Sequence, residues 1–108
     1  MIEKLANQIE CIIAKRLVRI ILENGFEIKI FDGENFAMPQ FSSDYNTIIE
    51  AMASTDEDIV WIKKPSTNQR RWIRLIYGNG EDLISDYSAT FDLDPIIDEI
   101  NDLRQINP

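Results

Sequence analysis

Apolar residues recur at helical spacing along the first quarter of the chain. A spacing of three and four residues places side chains on one side of an α-helix. Gly25 follows the pattern, and glycine commonly ends helices because it adopts the positive φ that the closing position requires. The pattern therefore predicts a helix from Ile2 to Asn24. Its apolar positions are Ile2, Leu5, Ile9, Ile12, Ile13, Leu17, Ile20 and Ile21.

The hydrophobic period changes from helical to alternating after Gly25. Residues 26–30 alternate between apolar and charged side chains, which is typical of a β-strand. Asp32 and Gly33 predict a tight turn, and a short strand over 34–38 would pair back on the first. We expect this second strand to end at Pro39.

The second half of the chain predicts a helix, three strands and a final helix. Ser43 or Asp44 can cap the first of these helices, and Pro95 suits the first position of the last one. The resulting order is α-β-β-α-β-β-β-α. It predicts one α+β domain over residues 1–108, with an antiparallel sheet packed by helices. The expected elements are a helix over 45–52, strands over 58–64, 70–77 and 82–87, and a helix capped by Asp94.

Alternation sorts the side chains of the last three strands onto two faces. A loop at 65–68 places Trp61 opposite Trp72, and a turn at 78–80 places Trp72 opposite Asp86. One face is predicted to form the core beneath the first helix: Val60, Ile62, Ile73, Leu75, Tyr77, Leu83 and Tyr87. The other face holds Ile59, Trp61, Lys63, Arg70, Trp72, Arg74, Ile76, Asp82, Ile84 and Asp86.

The second face has two functional interpretations. Trp61 and Trp72, framed by Lys63, Arg70 and Arg74, can anchor a protein interface, where tryptophan and arginine are preferred. The same residues can stack on bases and hold phosphates. The neighbouring aspartates and the acidic charge of the chain argue against direct nucleic-acid binding.

A purely structural interpretation of the same residues stays open. The smaller helix can cover both tryptophans. Arg74 can pair with Asp82 and Asp86 across the strands, which would leave no binding surface.

The composition excludes most of the usual types of catalytic site. The chain contains no histidine and one cysteine, which excludes Ser-His-Asp and Cys-His nucleophiles and histidine-based metal sites. Its four glycines do not form a phosphate-binding motif. We therefore expect a non-enzymatic protein with no cofactor and no metal. The single cysteine and the lack of a long apolar run favour the cytoplasm and argue against a membrane.

Charge is distributed unevenly along the chain. The net charge is −8, yet residues 63–80 carry five bases and no acid. Acidic residues dominate the last third, where Asp94, Asp98 and Asp102 recur every four residues and so share one stripe of the last helix.

The acidic residues of the last third, together with Asp82 and Asp86, have three interpretations. The first is a solvated surface. The second is a mimic of the phosphate backbone that blocks a nucleic-acid-binding protein. The third is a carboxylate-based metal-dependent enzyme, which the diverging helix positions argue against.

Residues 51–91 resemble small uncharacterised proteins of bacteriophages and prophages. The likeness runs from Ser54-Thr55-Asp56-Glu57-Asp58 through Trp72-Ile73 and Tyr77-Gly78-Asn79 to Leu83-Ile84-Ser85-Asp86-Tyr87. This resemblance implies a phage or prophage origin and a bacterial host cell. It implies no activity and no residue roles.

Together these observations predict an accessory module that binds another protein or itself. The alternative is an acidic phage-encoded inhibitor of a host nucleic-acid-binding defence system. We also expect a homodimer, because Val18 and Leu22 add an apolar flank to the first helix that a partner helix can cover.

Overall fold

The computed structural model describes residues 6–88 and 93–106, with side chains described up to residue 100. The described residues form three helices packed on a five-stranded antiparallel sheet of order β2-β1-β3-β4-β5. This confirms the predicted α+β class and element order. The elements are α1 (Gln8–Glu23), β1 (Glu27–Phe31), β2 (Phe36–Ser42), α2 (Tyr45–Ala51), β3 (Glu57–Lys63), β4 (Arg70–Ile76), a 3-10 turn (Gly80–Asp82), β5 (Ile84–Tyr87) and α3 (Asp94–Ile106).

Helix α1 begins later than its apolar pattern predicted. Asn7 has extended backbone angles and accepts a hydrogen bond from the Glu10 amide through its side chain. The Glu10 carboxylate accepts in return from the Asn7 amide, which completes a capping box and sets the helix start at Gln8. The predicted start at Ile2 lies outside the described residues. Gly25 follows the helix with φ +84°, as expected.

The prediction that β2 ends at Pro39 was wrong. The strand continues to Ser42, with Pro39 inside it. Because β2 lies at the edge of the sheet, it can accommodate a residue without an amide proton. The register with β1 shifts around this position, pairing Ile30 with Met38 but Ile28 with Ser42.

All three helices contribute to one hydrophobic core on one face of the sheet. Leu17, Ile48 and Ile96, from the three helices in turn, belong to the same buried cluster as Val60 and Ile73 of the sheet. The core face predicted for β3 and β4 is therefore confirmed. Sheet residues of this core are Ile28, Ile30, Met38, Val60, Ile62, Ile73 and Leu75.

The apolar flank of α1 lies inside this core. Val18 is fully buried and Leu22 packs against the buried cluster, so these side chains do not form a free surface for a partner helix. The large apolar side chains that α1 exposes are Ile9 and Ile12. Dimerisation itself stays a prediction.

The hairpin from β4 to β5 has a different register from the predicted one. Residues 80–82 form a 3-10 turn, so Asp82 lies outside the strand and β5 begins at Ile84. Asp86 consequently pairs with Arg74 instead of Trp72. An irregularity between the two pairs also places Ile84 opposite Leu75, where it packs against the core. The longer turn explains the error, since each added loop residue moves the register.

Candidate binding face

The sheet face opposite the helices carries aromatic and charged side chains, and we call it the aromatic face. Trp61 pairs with Trp72 across β3 and β4, as predicted from the loop at 65–68. Both indoles are half-buried. Helix α2 packs on the core side through Ile48, so the alternative in which the smaller helix covers the tryptophans does not hold. The aromatic face comprises Glu27, Lys29, Phe31, Phe36, Phe41, Glu57, Ile59, Trp61, Lys63, Arg70, Trp72, Arg74 and Asp86.

A groove of about 430 Å³ crosses the centre of the aromatic face. Register explains its composition, because strand pairing aligns Phe31 with Ile59 and Ile59 with Arg74 in one row. Phe36 extends this row from the edge strand and packs edge-on against Phe31, with ring centres 5.0 Å apart. The lining residues are Phe31, Phe36, Glu57, Ile59, Trp61, Trp72, Arg74 and Asp86.

Arg74 forms an ion pair with a residue that the sequence interpretation missed. Its Nη2 and Nε atoms lie 2.6 and 3.2 Å from Oε2 of Glu57. The alternative in which Arg74 pairs with Asp82 and Asp86 holds only for the strand register with Asp86, which lies opposite Arg74 on β5. The guanidinium itself pairs with Glu57, which starts β3 one residue earlier than expected, and Asp82 belongs to the 3-10 turn. The side chain of Arg74 remains 44% exposed, so it still borders the groove.

Three cations surround the ring of Phe41 at the other end of the aromatic face. Lys29 Nζ lies 4.9 Å, Lys63 Nζ 5.1 Å and the Arg70 guanidinium 5.4 Å from the ring centre. We call these four residues the Phe41 cluster. Sequence reasoning identified Lys63 and Arg70 but missed Lys29 and Phe41. The sequence did not indicate that β1 and β2 join the sheet of β3 and β4, or which of their side chains share its outer face.

The cations of the Phe41 cluster are unevenly neutralised. Lys63 forms a salt bridge of 3.4 Å with Glu27. Among the described residues, neither Lys29 nor Arg70 has a carboxylate at salt-bridge distance. Partial burial of the Lys29 ammonium lowers its pKa below the usual value, and repulsion from Arg70 lowers it further. This corner of the aromatic face therefore has an unbalanced positive charge.

The residues of the predicted acidic surface lie on three different elements. Asp82 lies in the 3-10 turn, Asp86 on β5 and Asp94 and Asp98 on α3, and all four are exposed. The side chain of Asp102 lies outside the described ones. Within the part of the chain that the structure describes, no group of three carboxylate or cysteine side chains can hold a metal ion.

Two buried carboxylates fix the segment between β4 and the 3-10 turn. Oε2 of Glu10 accepts hydrogen bonds from three successive amides, those of Gly78 (2.6 Å), Asn79 (2.8 Å) and Gly80 (3.0 Å). Such a concave run of amides is a typical anion-binding arrangement. The positive φ of Gly78 and Gly80 lets the chain form it.

Asp58 is the second buried carboxylate. Its Oδ2 accepts from the Tyr77 hydroxyl at 2.6 Å and from the Ala53 amide at 2.8 Å, while its Oδ1 has no partner among the described residues. Burial raises the pKa of Asp58 to about 6. Burial also raises the pKa of Tyr77, so its hydroxyl remains a donor. Sequence reasoning placed Tyr77 in the core but did not find Asp58, whose only signal is an acid at an inward-facing strand position.

The contacts of Tyr77, Gly78 and Asn79 give a structural role to the segment that carries the phage resemblance. These residues hydrogen-bond to Asp58 and Glu10, and none of the three lines the groove. The described helices also include none with the length and apolar character of a membrane span.

No family model, curated protein or solved structure matches this chain.

Proposed function

We propose that the protein is a non-enzymatic binding module of phage or prophage origin that docks a partner protein on the aromatic face. The observation that carries this proposal is the groove between Trp61 and Trp72 and the aromatic residues of β1 and β2, on the face that the described helices leave uncovered. A cleft of this volume, lined by apolar and aromatic side chains with a few charged groups at its edge, has the usual form of a binding site. Tryptophan and arginine together are preferred anchors of such interfaces.

The chemistry of the face defines the partner. The groove takes an apolar or aromatic side chain, because its centre is made of Phe31, Ile59 and the two indoles. The unbalanced cations Lys29 and Arg70 beside it favour carboxylates next to that apolar group. The proposed partner is therefore a protein segment in which an apolar or aromatic residue is flanked by acidic residues.

A single-stranded nucleic acid fits the face less well. Stacking on Trp61 and Trp72 would bring phosphates close to Glu57 and Asp86, which line the same groove. The net charge of −8 opposes the approach of any polyanion that carries a charge at every unit.

Capture from bacterial lysate with site-directed variants tests the proposal. Wild-type protein and the Trp72→Ala variant are tagged and incubated with nuclease-treated lysate, and retained proteins are identified by mass spectrometry. The matched control is Asp94→Asn/Asp98→Asn, which changes exposed side chains on α3. We expect a protein that wild type and control retain and that the tryptophan variant loses by about ten-fold or more.

A photo-crosslinking amino acid maps the contact without removing an anchor. Phe36 on the aromatic face and Ile12 on α1 are both large exposed apolar residues, with 44% and 49% of their surface accessible. A crosslinker at position 36 should trap the retained partner, and one at position 12 should not. Equal capture by wild type and Trp72→Ala, or crosslinking from position 12 alone, would contradict the proposal.

The exposed aspartates of the 3-10 turn, β5 and α3 support a second candidate, an acidic inhibitor of a host nucleic-acid-binding protein. Charge reversal at Asp94, Asp98 and Asp102 should then abolish capture, and a duplex DNA competitor should displace the target. Under the first proposal the same variant retains its partner. The two functions are thus separated by one set of variants.

A further inference from the structure

We propose that the Phe41 cluster is the carboxylate-binding subsite of the aromatic face and gives the docked partner segment a fixed polarity. Acidic side chains of the partner lie over Lys29 and Arg70, and its apolar residue lies in the groove. This inference rests on the proposed protein-binding function. The new element is the end of the aromatic face at which the partner's charge is recognised.

The geometry of the Phe41 cluster places several cations around one ring, where an acidic segment meets all of them. Because Lys29, Lys63 and Arg70 all lie close to one ring centre, the charges of Lys29 and Arg70 are within about 10 Å of each other. Lys29 Nζ also lies 4.4 Å from the ring centre of Phe36, so two rings hold it. Holding these cations against aromatic rings reduces the conformational entropy that binding would otherwise cost.

The electrostatics of the cluster favour an incoming anion. Glu27 neutralises Lys63, and Lys29 and Arg70 repel each other without a carboxylate partner among the described residues. A carboxylate placed between them relieves that repulsion. A carboxylate in contact with the Lys29 ammonium should therefore raise its pKa, which is a direct signature of an anion at this position.

The opposite end of the face excludes a uniform polyanion. Lys63 and Glu57 are six positions apart on β3, which corresponds to about 20 Å of extended strand. At the Glu57 end two carboxylates, those of Glu57 and Asp86, stand against one cation, Arg74, so the face is basic at one end and acidic at the other. A peptide can place carboxylates at one end and neutral residues at the other, whereas a nucleic-acid strand carries a phosphate at every nucleotide. This favours a peptide as the occupant.

Two synthetic peptides of identical composition test the polarity. One carries all its glutamates on one side of a Trp-Ile pair, and the other has them divided between the two sides. A single-stranded oligothymidylate is the third probe. Affinities are measured by calorimetry at low and physiological salt, and the pKa of Lys29 is followed by NMR of its ammonium group with and without the one-sided peptide.

The variants are Lys29→Gln/Arg70→Gln and Trp72→Ala, with Arg16→Gln as the matched control. Arg16 is an exposed arginine on α1 that pairs with Glu99 at 3.8 Å, away from the sheet. We expect the one-sided peptide to bind more tightly than the divided one. Loss of Lys29 and Arg70 should weaken it by about ten-fold, as expected for two solvent-accessible ion pairs, and the control should leave it unchanged.

Distinct outcomes separate failure of this inference from failure of the proposed function. Equal affinity for the two peptides, no effect of Lys29→Gln/Arg70→Gln, or an unchanged Lys29 pKa on binding would each overturn the carboxylate subsite. The docking function survives those results if Trp72→Ala still abolishes binding. Tighter binding of oligothymidylate than of either peptide would assign the cations to phosphates and overturn the inference.

Discussion

At the scale of single residues, Asp58 is an ionisable group placed where water does not reach it. One carboxylate oxygen is satisfied by Tyr77 and Ala53, and the other has no partner among the described residues. Burial disfavours the charged form, and two hydrogen bonds offset only part of this cost. Asp58 therefore links the stability of the core to pH.

We predict that Asp58 makes the protein less stable as pH rises from about 4 to about 6. The folded state holds a proton up to a pKa of about 6, whereas the unfolded chain loses it near the ordinary value of 3.8. Between these values folding takes up a proton, so the free energy of unfolding falls with rising pH, by about 3 kcal/mol in total. Above pH 6 this contribution is constant.

Urea denaturation of wild type and Asp58→Asn across pH 4–8 measures this contribution. The difference between the two curves isolates Asp58, because the other carboxylates titrate in both proteins. We expect the wild-type stability to fall relative to the variant over the lower half of the range. Parallel curves would show that the folded pKa of Asp58 is ordinary.

At the scale of elements, Glu10 connects the first turn of α1 to the segment between β4 and the 3-10 turn. The two are far apart in sequence, yet one carboxylate accepts from Asn7, Gly78, Asn79 and Gly80. It therefore caps the helix and fixes the conformation of the turn at the same time.

We predict that Glu10→Gln lowers the free energy of unfolding by about 3 kcal/mol. An amide can accept on one oxygen only, so either orientation directs its NH2 group at a backbone donor. The buried position prevents water from replacing the lost bonds, since Glu10 is 0% exposed. Glu23→Gln is the matched control, an exposed glutamate at the other end of α1, and should change stability by less than about 0.5 kcal/mol. Equal effects of the two substitutions in urea denaturation would refute the role of Glu10 as a connector.

At the scale of the whole molecule, the fold is two layers, with described helices on one face of the sheet only. Adjacent residues on β4 therefore experience different environments. Ile73 is fully buried beneath the helices, and Trp72 is half-buried on the aromatic face. The two faces contribute differently to folding and to binding.

We predict that Ile73→Ala costs about 3 kcal/mol of stability and Trp72→Ala about 1 kcal/mol, although tryptophan is the larger side chain. The reason is that Ile73 leaves a cavity in a packed core, whereas the space left by Trp72 is open to water. Chemical denaturation of both variants checks the order. A larger loss for Trp72→Ala would mean that the aromatic face is covered in the folded chain.

Much of the architecture was predictable because it depends on local patterns. Alternation along β3 and β4 and the loop at 65–68 set the pairing of Trp61 with Trp72. The next hairpin was not predictable in the same way, because the 3-10 turn at 80–82 moved the register. The end of β2 was wrongly predicted at Pro39, because a proline is tolerated inside a strand only at the edge of a sheet and the sequence does not show that β2 is an edge strand.

The hydrophobic pattern of the chain was enough to predict the α+β class, the order of elements, the core face of the central strands and the two tryptophans on the other face. These follow from hydrophobic period and turn residues, which act over a few positions of the chain. Three features became visible in the folded chain alone: Lys29 and Phe41 join Lys63 and Arg70, Arg74 pairs with Glu57, and Glu10 binds the turn after β4. These contacts join residues that are far apart in the sequence and are brought together by strand order and helix packing. A pattern that extends over a few neighbouring positions cannot predict them.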